Sequence, residues 1–422
     1  MAGRPGEKDW FSLDNAAKIY PATASPRSPA EFRMTFTVKE PVRLIWLEAA
    51  AKRVMPRFPY YQVLLKKGFF WYYLQRNDLS PGISPMSNMP LGMPSERGHS
   101  TRLLRICAAG ATVAVDFSHI LTDGTGGMAF LLALAAMYLR EAGLLERTPP
   151  GVMNPDEEPS PEEFEDAHRR YFPDISISPE RMKPAWHLPG EPMEQGRIRV
   201  LSGSVPVEDV HSQAGEKGVS ITEYLAAVYL HSLAEIHPGR GRNIIRLEIP
   251  LDMRRVFPSR TMRNFSLYLS PEIDLALGEW TFDETVTEIH HRMGLMKSRK
   301  QLGRQLHRNV GSEFNPLVRY LPRFLKDMVL SFSYSRLGEG LHSGVISNLG
   351  RVQVPKGMAG NIESLGMMIR PNHVMKKSCS VLSFGGMLDI TFASVIEDLT
   401  LEKLFFRFLA GSGADVTVRE IQ

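Results

Sequence analysis

Helical and strand-like patterns both recur along the whole of this 422-residue sequence, which predicts an α/β protein built on α+β mixed sheets. Two alternating apolar runs, Arg102-Leu103-Leu104-Arg105-Ile106-Cys107 and Ala111 to Phe117, are separated by an Ala109-Gly110 turn and read as a hairpin. Ser220-Ile221-Thr222-Glu223 and Thr281-Phe282-Asp283-Glu284 are capping boxes that open helical patterns in the second half. Between these regions the composition turns proline-rich and acidic. A domain usually takes roughly 100–200 residues, so the expected organisation is an N-terminal lobe over 1–145, a crossover over 146–197 and a C-terminal lobe over 198–422.

In chain order, Phe32 to Val38 alternates as a strand, and Pro41 opens a helix to Val54 with Leu44, Leu47, Ala51 and Val54 on one face. Tyr61 to Leu65 and Phe69 to Leu74 read as paired strands joined at Lys66-Lys67-Gly68, their aromatics fitting sheet packing better than a binding box. Met128 to Tyr138 is apolar nearly all round and reads as a buried helix. A short helix fits Pro161 to Tyr171 within the crossover. The second half then offers a strand over 198–205, helices to Ile236 and Lys300 from the two capping boxes, and a strand over 244–250. Further patterns are helical over 317–328, strand-like over 345–348, 380–384 and 388–395, and amphipathic helical over 401–409.

The composition is that of an ordinary globular protein, with 43% hydrophobic and 23% charged residues. Fifty basic against 46 acidic residues leave a net charge of +4, too small to indicate nucleic acid and mildly favourable to an anionic small ligand. The two cysteines, Cys107 and Cys379, lie in apolar runs and read as small core residues, which suits a reducing compartment. No apolar leader and no run approaching the roughly 18 apolar residues of a membrane span is present, so a cytoplasmic protein is expected.

Chemistry concentrates at Ser118-His119-Ile120-Leu121-Thr122-Asp123-Gly124, where the second hairpin strand stops and the buried helix begins. A histidine with its pKa near neutrality can take a proton from a hydroxyl, amine or thiol if one tautomer is held in place. Most loop histidines are structural; the order strand, His-x-x-x-Asp-Gly, buried helix is what favours catalysis. Asp123 lies past a bend and need not face the imidazole as a triad carboxylate does.

The string His119-x-x-x-Asp123-Gly124 resembles the active-site motif of the chloramphenicol-acetyltransferase-like superfamily, which includes peptide-synthetase condensation domains, dihydrolipoyl acyltransferases and alcohol O-acetyltransferases. Asp14-Asn15-Ala16-Ala17-Lys18-Ile19-Tyr20-Pro21, Ile249-Pro250-Leu251-Asp252-Met253-Arg254 and Ile346-Ser347-Asn348-Leu349-Gly350 follow in the order of its two-lobed, single-chain members. The first of these, with Arg57-Phe58-Pro59, is most similar to the alcohol acetyltransferase branch. The resemblance implies two similar lobes with the active site in a tunnel or cleft between them. It also implies that Arg254, rather than Arg255, pairs with Asp123 to fix the loop, and that Ser347, beside Asn348, donates to the oxyanion. Asn264-Phe265 looks like a family turn with a structural role only.

Lys297, Lys300, Arg304 and Arg308 are spaced as one helical face that could attract coenzyme A phosphates, although a solvated face is the commoner explanation of such spacing. No metal site is expected. His290 and His291 are neighbours, and neighbours on a helix point about 100° apart. Gly124-Thr125-Gly126-Gly127 lacks the Lys-Ser/Thr ending of a phosphate loop.

The function implied is an acyl-CoA-dependent O-acyltransferase, with a coenzyme A thioester as co-substrate, no permanently bound cofactor and a small alcohol or amine as acceptor. One alternative is condensation with a carrier-protein thioester, against which Ser118 stands where condensation domains carry a first histidine. Another is a catalytically silent relative that binds a ligand or partner.

Overall fold

The computed structural model describes residues 10–25, 29–78, 81–86, 103–173, 175, 182–194, 196–314, 320–337 and 339–421. Its strands form three sheets: one of three strands, one of five and one of eight. The predicted hairpin is present as Leu104–Ala109 against Thr112–Ser118, antiparallel, with Gly110 at φ +54° in the turn. Arg102 lies outside the described residues. Thr112–Ser118 also pairs with Glu31–Val38, and the five-stranded sheet runs Ile362–Ile369, Glu31–Val38, Thr112–Ser118, Leu104–Ala109, Ile83–Pro85.

The helices Leu44–Val54 and Gly124–Glu141 pack together, and the second is apolar nearly all round because the N-terminal core surrounds it. In the three-stranded sheet Val63–Lys67 and Tyr72–Arg76 pair around a turn at Gly68 to Trp71, later than the sequence pattern predicted. The Gly68 N–H donates to the Trp71 carbonyl, which closes that turn on aromatic residues the alternation had assigned to the strand.

The eight-stranded sheet is mixed. Gly344–Arg351 lies parallel to both Ile244–Asp252 and Lys377–Phe384, while Met387–Ser394 and Arg199–Pro206 continue it antiparallel. The helices Ile221–Ile236, Phe282–Met296 and Thr400–Gly411 each bury an apolar face in the C-terminal core, and both capping boxes form. Helix Val207–Glu216 was not predicted; its charged composition, VEDVHSQAGE, hides the Val210 and Ala214 that it buries. The predicted helix from Thr281 to Lys300 ends at Met296, and a separate helix, Arg299–Phe314, follows. The predicted 317–328 helix falls partly outside the described residues; the helix observed there is Arg323–Leu337, which starts just after Pro322.

Residues 146–197 do more than connect. Ser160 and Glu163 form a capping box, and the buried Glu163 carboxylate accepts from Arg57 Nη1 and Nη2 at 2.7 and 2.9 Å and from the Tyr60 hydroxyl at 2.9 Å. Trp186 and Leu188 are buried in the C-terminal core.

One C-terminal strand leaves its lobe. Ile362–Ile369 pairs with Glu31–Val38 at the edge of the five-stranded sheet, which caps an edge that would otherwise present unpaired backbone groups. Its last residue also meets the eight-stranded sheet: Ser378 Oγ donates to the Ile369 carbonyl at 2.5 Å, and Ser380 Oγ accepts from the Ile369 N–H at 3.1 Å. Those serines alternate with Cys379 and Val381, which face the C-terminal core, so the face carrying the serines is the one turned to the other lobe.

Lys377 starts this strand, and its ammonium meets Glu402 of helix Thr400–Gly411 at 2.5 Å with both side chains 1% exposed. Removing one member of such a pair strands a buried charge. Lys377→Met is expected to lose roughly 3–5 kcal/mol in chemical denaturation, and Lys377→Met/Glu402→Leu to regain most of it. A double variant no more stable than the single one would show that the pair is not what holds this helix.

Candidate active site

Strand Thr112–Ser118 delivers His119 to the lobe junction, and the backbone fixes it there. The His119 N–H donates to the Ala30 carbonyl at 2.8 Å, and the His119 carbonyl accepts from Asn264 Nδ2 at 2.8 Å. Asn264 Nδ2 also reaches the buried Asp14 carboxylate, at 3.1 Å to Oδ2, and Asp14 Oδ1 accepts the Ala17 N–H at 2.8 Å. Two stretches singled out in the sequence, Asp14 to Pro21 and Asn264-Phe265, are thereby joined to the histidine loop. The second had been assigned structure alone, and it does act through the backbone of His119.

The imidazole is half-buried between aromatic rings. Tyr20 stacks on it at 5.5 Å between centroids and 26° between planes, and Phe32 lies at 4.7 Å. Burial pulls the His119 pKa down, against the Asp123 carboxylate, the Thr122 backbone and the Asn264 side chain, which favour the protonated ring. The neutral base is therefore the form favoured at neutral pH. Neither ring was found by the sequence reading; Tyr20 lies within the Asp14 to Pro21 segment, but nothing in that string indicates stacking.

Asp123 is an N-cap and an anchor. Its Oδ1 accepts the N–H groups of Thr125 and Gly126 at 3.2 Å each at the start of helix Gly124–Glu141. Its Oδ2 accepts from Arg254 Nη1 at 2.9 Å and from the Phe265 N–H at 2.8 Å. Burial raises the carboxyl pKa, but Arg254 and the Phe265 and Gly126 N–H groups outweigh it and hold the carboxyl below its usual range. Arg254 also donates to Asp252 Oδ1 and to the carbonyls of Thr261 and Arg263. Among the described residues the Asp123 ion pair is with Arg254 and not with Arg255.

Gly126, two residues past the motif, is required by contact: a Cβ there would lie 2.2 Å from Thr122 Oγ1 and 2.4 Å from the Met262 carbonyl oxygen, whereas one on Gly124 would meet closely only the flexible end of Leu349, at 2.7 Å from Cδ2. The Thr122 hydroxyl donates to that Met262 carbonyl at 2.7 Å and lies 2.9 Å from the Tyr61 hydroxyl. The motif is thus wedged directly against the C-terminal lobe.

Leu349 belongs to strand Gly344–Arg351, which also carries Ser347 and Asn348. Ser347 is the register partner of Ser380 and lies on the face turned to the N-terminal lobe; its hydroxyl bonds to nothing among the described residues. Asn348 is engaged elsewhere, with Nδ2 donating to Thr222 Oγ1 at 3.0 Å and Oδ1 accepting the Gly350 N–H at 2.7 Å. It shapes the turn at Gly350, whose φ is +75°.

The four basic residues expected on one face are not on one helix. Lys297 caps the end of Phe282–Met296 and donates to Glu223 Oε1 at 2.9 Å, while Lys300, Arg304 and Arg308 lie on Arg299–Phe314. The interruption of the helix at Lys297-Ser298 breaks the helical spacing on which that expectation rested.

No protein-family model and no curated protein matches the chain. Solved structures do match its fold. TRI101 of F. graminearum, complexed with coenzyme A and T-2 mycotoxin, superposes with a TM-score of 0.63 over 93% of this chain and 96% of its own, at 11% identity. TRI3 trichothecene 15-O-acetyltransferase from Fusarium sporotrichioides gives 0.59 over 97% of each chain at 11% identity. The epimerization domain from the third module of tyrocidine synthetase B gives 0.60 over 96% of each at 12% identity.

The ion pair across the lobes can be measured. Asp123→Asn and Arg254→Met are each expected to lower the melting temperature, with a coupling of roughly 0.5–3 kcal/mol in the double-mutant cycle. The depressed Asp123 pKa stabilises the fold above the ordinary carboxyl value of about 3.9, and that contribution is lost as pH falls below it. Asp123→Asn should therefore flatten the acid limb of a stability–pH curve; an unchanged limb together with strict additivity would remove the pair from this role. Sheets, connections and the matches to these structures together show that the chain has the two-lobed chloramphenicol-acetyltransferase-like fold of condensation and epimerization domains and O-acetyltransferases.

Proposed function

We propose that this chain is an acyl-CoA-dependent O-acyltransferase of the alcohol acetyltransferase type. The observation that carries the reading is the pairing of roles at the lobe junction. The imidazole of His119 is kept neutral, and so able to accept a proton, by burial, while the carboxylate four residues on is committed to Arg254, the Phe265 N–H and helix capping. His119 is then a lone base, held by stacking and backbone bonds rather than by a triad carboxylate.

In the proposed reaction His119 takes the proton of an acceptor hydroxyl as its oxygen attacks the thioester carbonyl carbon. The oxyanion of the tetrahedral intermediate accepts a hydrogen bond from Ser347. Collapse of the intermediate breaks the carbon–sulfur bond, and the departing thiolate recovers the proton from the imidazolium. No covalent acyl-enzyme is required. Coenzyme A as donor is supported by its presence in the TRI101 complex. The domain limits 1–145, 146–197 and 198–422 belong to the same reading, as does a cytoplasmic location, supported by two free, buried cysteines. No described helix is long and apolar enough to cross a membrane.

A carrier-bound donor is the second reading, favoured by the likeness to the epimerization domain. Ser118 occupies the position before His119 and its hydroxyl accepts the Ile120 N–H at 3.3 Å, a local turn contact. Incubation with acetyl-CoA, an alcohol panel and a thiol-trapping dye separates the two. Alcohol-dependent thiol release is expected, and turnover confined to pantetheine on a carrier would overturn the free coenzyme reading.

His119→Gln, which keeps more of the ring packing than alanine, should lower kcat by roughly 10²–10⁴. Ser347→Ala should lower kcat by about 10²–10³ with little change in KM, because the bond it makes belongs to the transition state. Since the His119 pKa is depressed, the acid limb of kcat/KM should fall below the ordinary histidine value of about 6.5. A limb at or above that value would point to a different base.

A further inference from the structure

The segment that carries Tyr20 uses its polar groups to hold itself in place, with one exception. Trp10–Ser12 pairs with Tyr72–Arg76, and the Ser12 carbonyl accepts from Arg263 Nη2 at 2.7 Å. Asp14 is bonded to the Ala17 N–H and to Asn264. Asn15 Nδ2 donates to Glu313 Oε1 at 2.6 Å, Lys18 pairs with the same carboxylate, and Thr23 Oγ1 donates to the Ile19 carbonyl at 3.0 Å. The exception is the Tyr20 hydroxyl, which bonds to nothing among the described residues and is not sealed from solvent.

Tyr20 is nevertheless fixed. Its ring stacks on His119, its carbonyl accepts the Ala24 N–H at 2.7 Å, and the short helix Tyr20–Thr23 packs on helix Arg323–Leu337. A hydroxyl left over on a residue held this way is preorganised for a ligand, because the protein gives up no internal hydrogen bond when the ligand takes it.

Its surroundings keep the proton on it. Burial raises the Tyr20 pKa, and the carboxylates of Glu248, Asp14 and Asp123 raise it further, so the hydroxyl remains a donor through the neutral range. Glu248 acts most strongly of the three. It is the register partner of Val345, and Ser347 lies two residues further along that strand, so Glu248 and Ser347 share the face turned to the N-terminal lobe. The Tyr20 hydroxyl thus adjoins both the imidazole and the wall that carries Ser347.

In the acyl-transfer reading, on which this inference rests, the reacting oxygen of the acceptor bonds the imidazole. A donor beside that position is satisfied only if the acceptor offers a second oxygen; a plain alcohol would set hydrocarbon against it and remove the bond it makes with water in the free protein. We infer that Tyr20 selects acceptors that carry a second hydroxyl or carbonyl oxygen one or two carbons from the reacting hydroxyl, and that its hydroxyl donates to that oxygen. Ser347 is left to the oxyanion, so the two hydroxyls serve different parts of the substrate.

Thiol release from acetyl-CoA with 1,2-hexanediol, 1,3-hexanediol and 1-hexanol tests it, in the full chain and in Tyr20→Phe, which keeps a ring against His119 and removes the hydroxyl alone. The parent chain is expected to favour at least one diol over hexanol by about three- to tenfold in kcat/KM. In Tyr20→Phe that ratio should fall to near one, mainly through a higher KM for the diol, at an unchanged melting temperature. A ratio that Tyr20→Phe leaves unchanged, or a parent chain that prefers neither diol, would overturn the inference while acyl transfer stands. So would a lower melting temperature of Tyr20→Phe, since the hydroxyl would then hold the fold, or turnover of other alcohols with none of these three. Absence of thiol release with any alcohol would remove the acyl-transfer reading and this inference together.

Discussion

The buried pair between Asp123 and Arg254 is the constraint on which the rest of the site depends. A carboxylate and a guanidinium buried at a junction between two cores are stable only if well bonded, and here the carboxylate accepts four hydrogen bonds and the guanidinium donates four. Asp123 caps the central N-terminal helix with one oxygen and engages the C-terminal lobe with the other. Helix start, lobe contact and histidine loop are consequently one unit, and displacement of any of them leaves a charge unpaired.

Because of that unit, the histidine is held in place with no carboxylate turned toward its ring. Its backbone is bonded on both sides, to Ala30 and Asn264, and its ring is confined by Tyr20 and Phe32. Orientation comes from packing and main-chain bonds, while burial lowers the pKa of the ring. An aspartate turned toward the imidazole would raise its pKa and leave Arg254 without its counter-charge.

The lobes are joined by more than this pair. Strand Ile362–Ile369 completes the five-stranded sheet from the other half of the chain, and Ser378 and Ser380 bond its end to the eight-stranded sheet. Strand Gly344–Arg351 then sets Leu349 against Gly124 and Ser347 on the same face. The inter-lobe geometry is thus carried by sheet register, which does not tolerate a slip of one residue without reversing every side chain.

Periodicity and capping chemistry are local, and the sequence by itself therefore determined the hairpin before His119, the buried helix after it and the helices opened by Ser220 and Thr281. The motif strings of the resemblance, rather than local pattern, singled out His119, Asp123, Arg254 and Ser347. Only the tertiary structure decided what depends on distant contacts. The ring of Tyr20 on His119, the bond from Asn264 to its carbonyl, and the crossing of Ile362–Ile369 into the other sheet join positions far apart in the chain. The basic face drawn from Lys297 to Arg308 failed for a related reason. Spacing predicts a shared face only while one helix continues, and Lys297 is held instead by Glu223 from another helix at the point where its own ends.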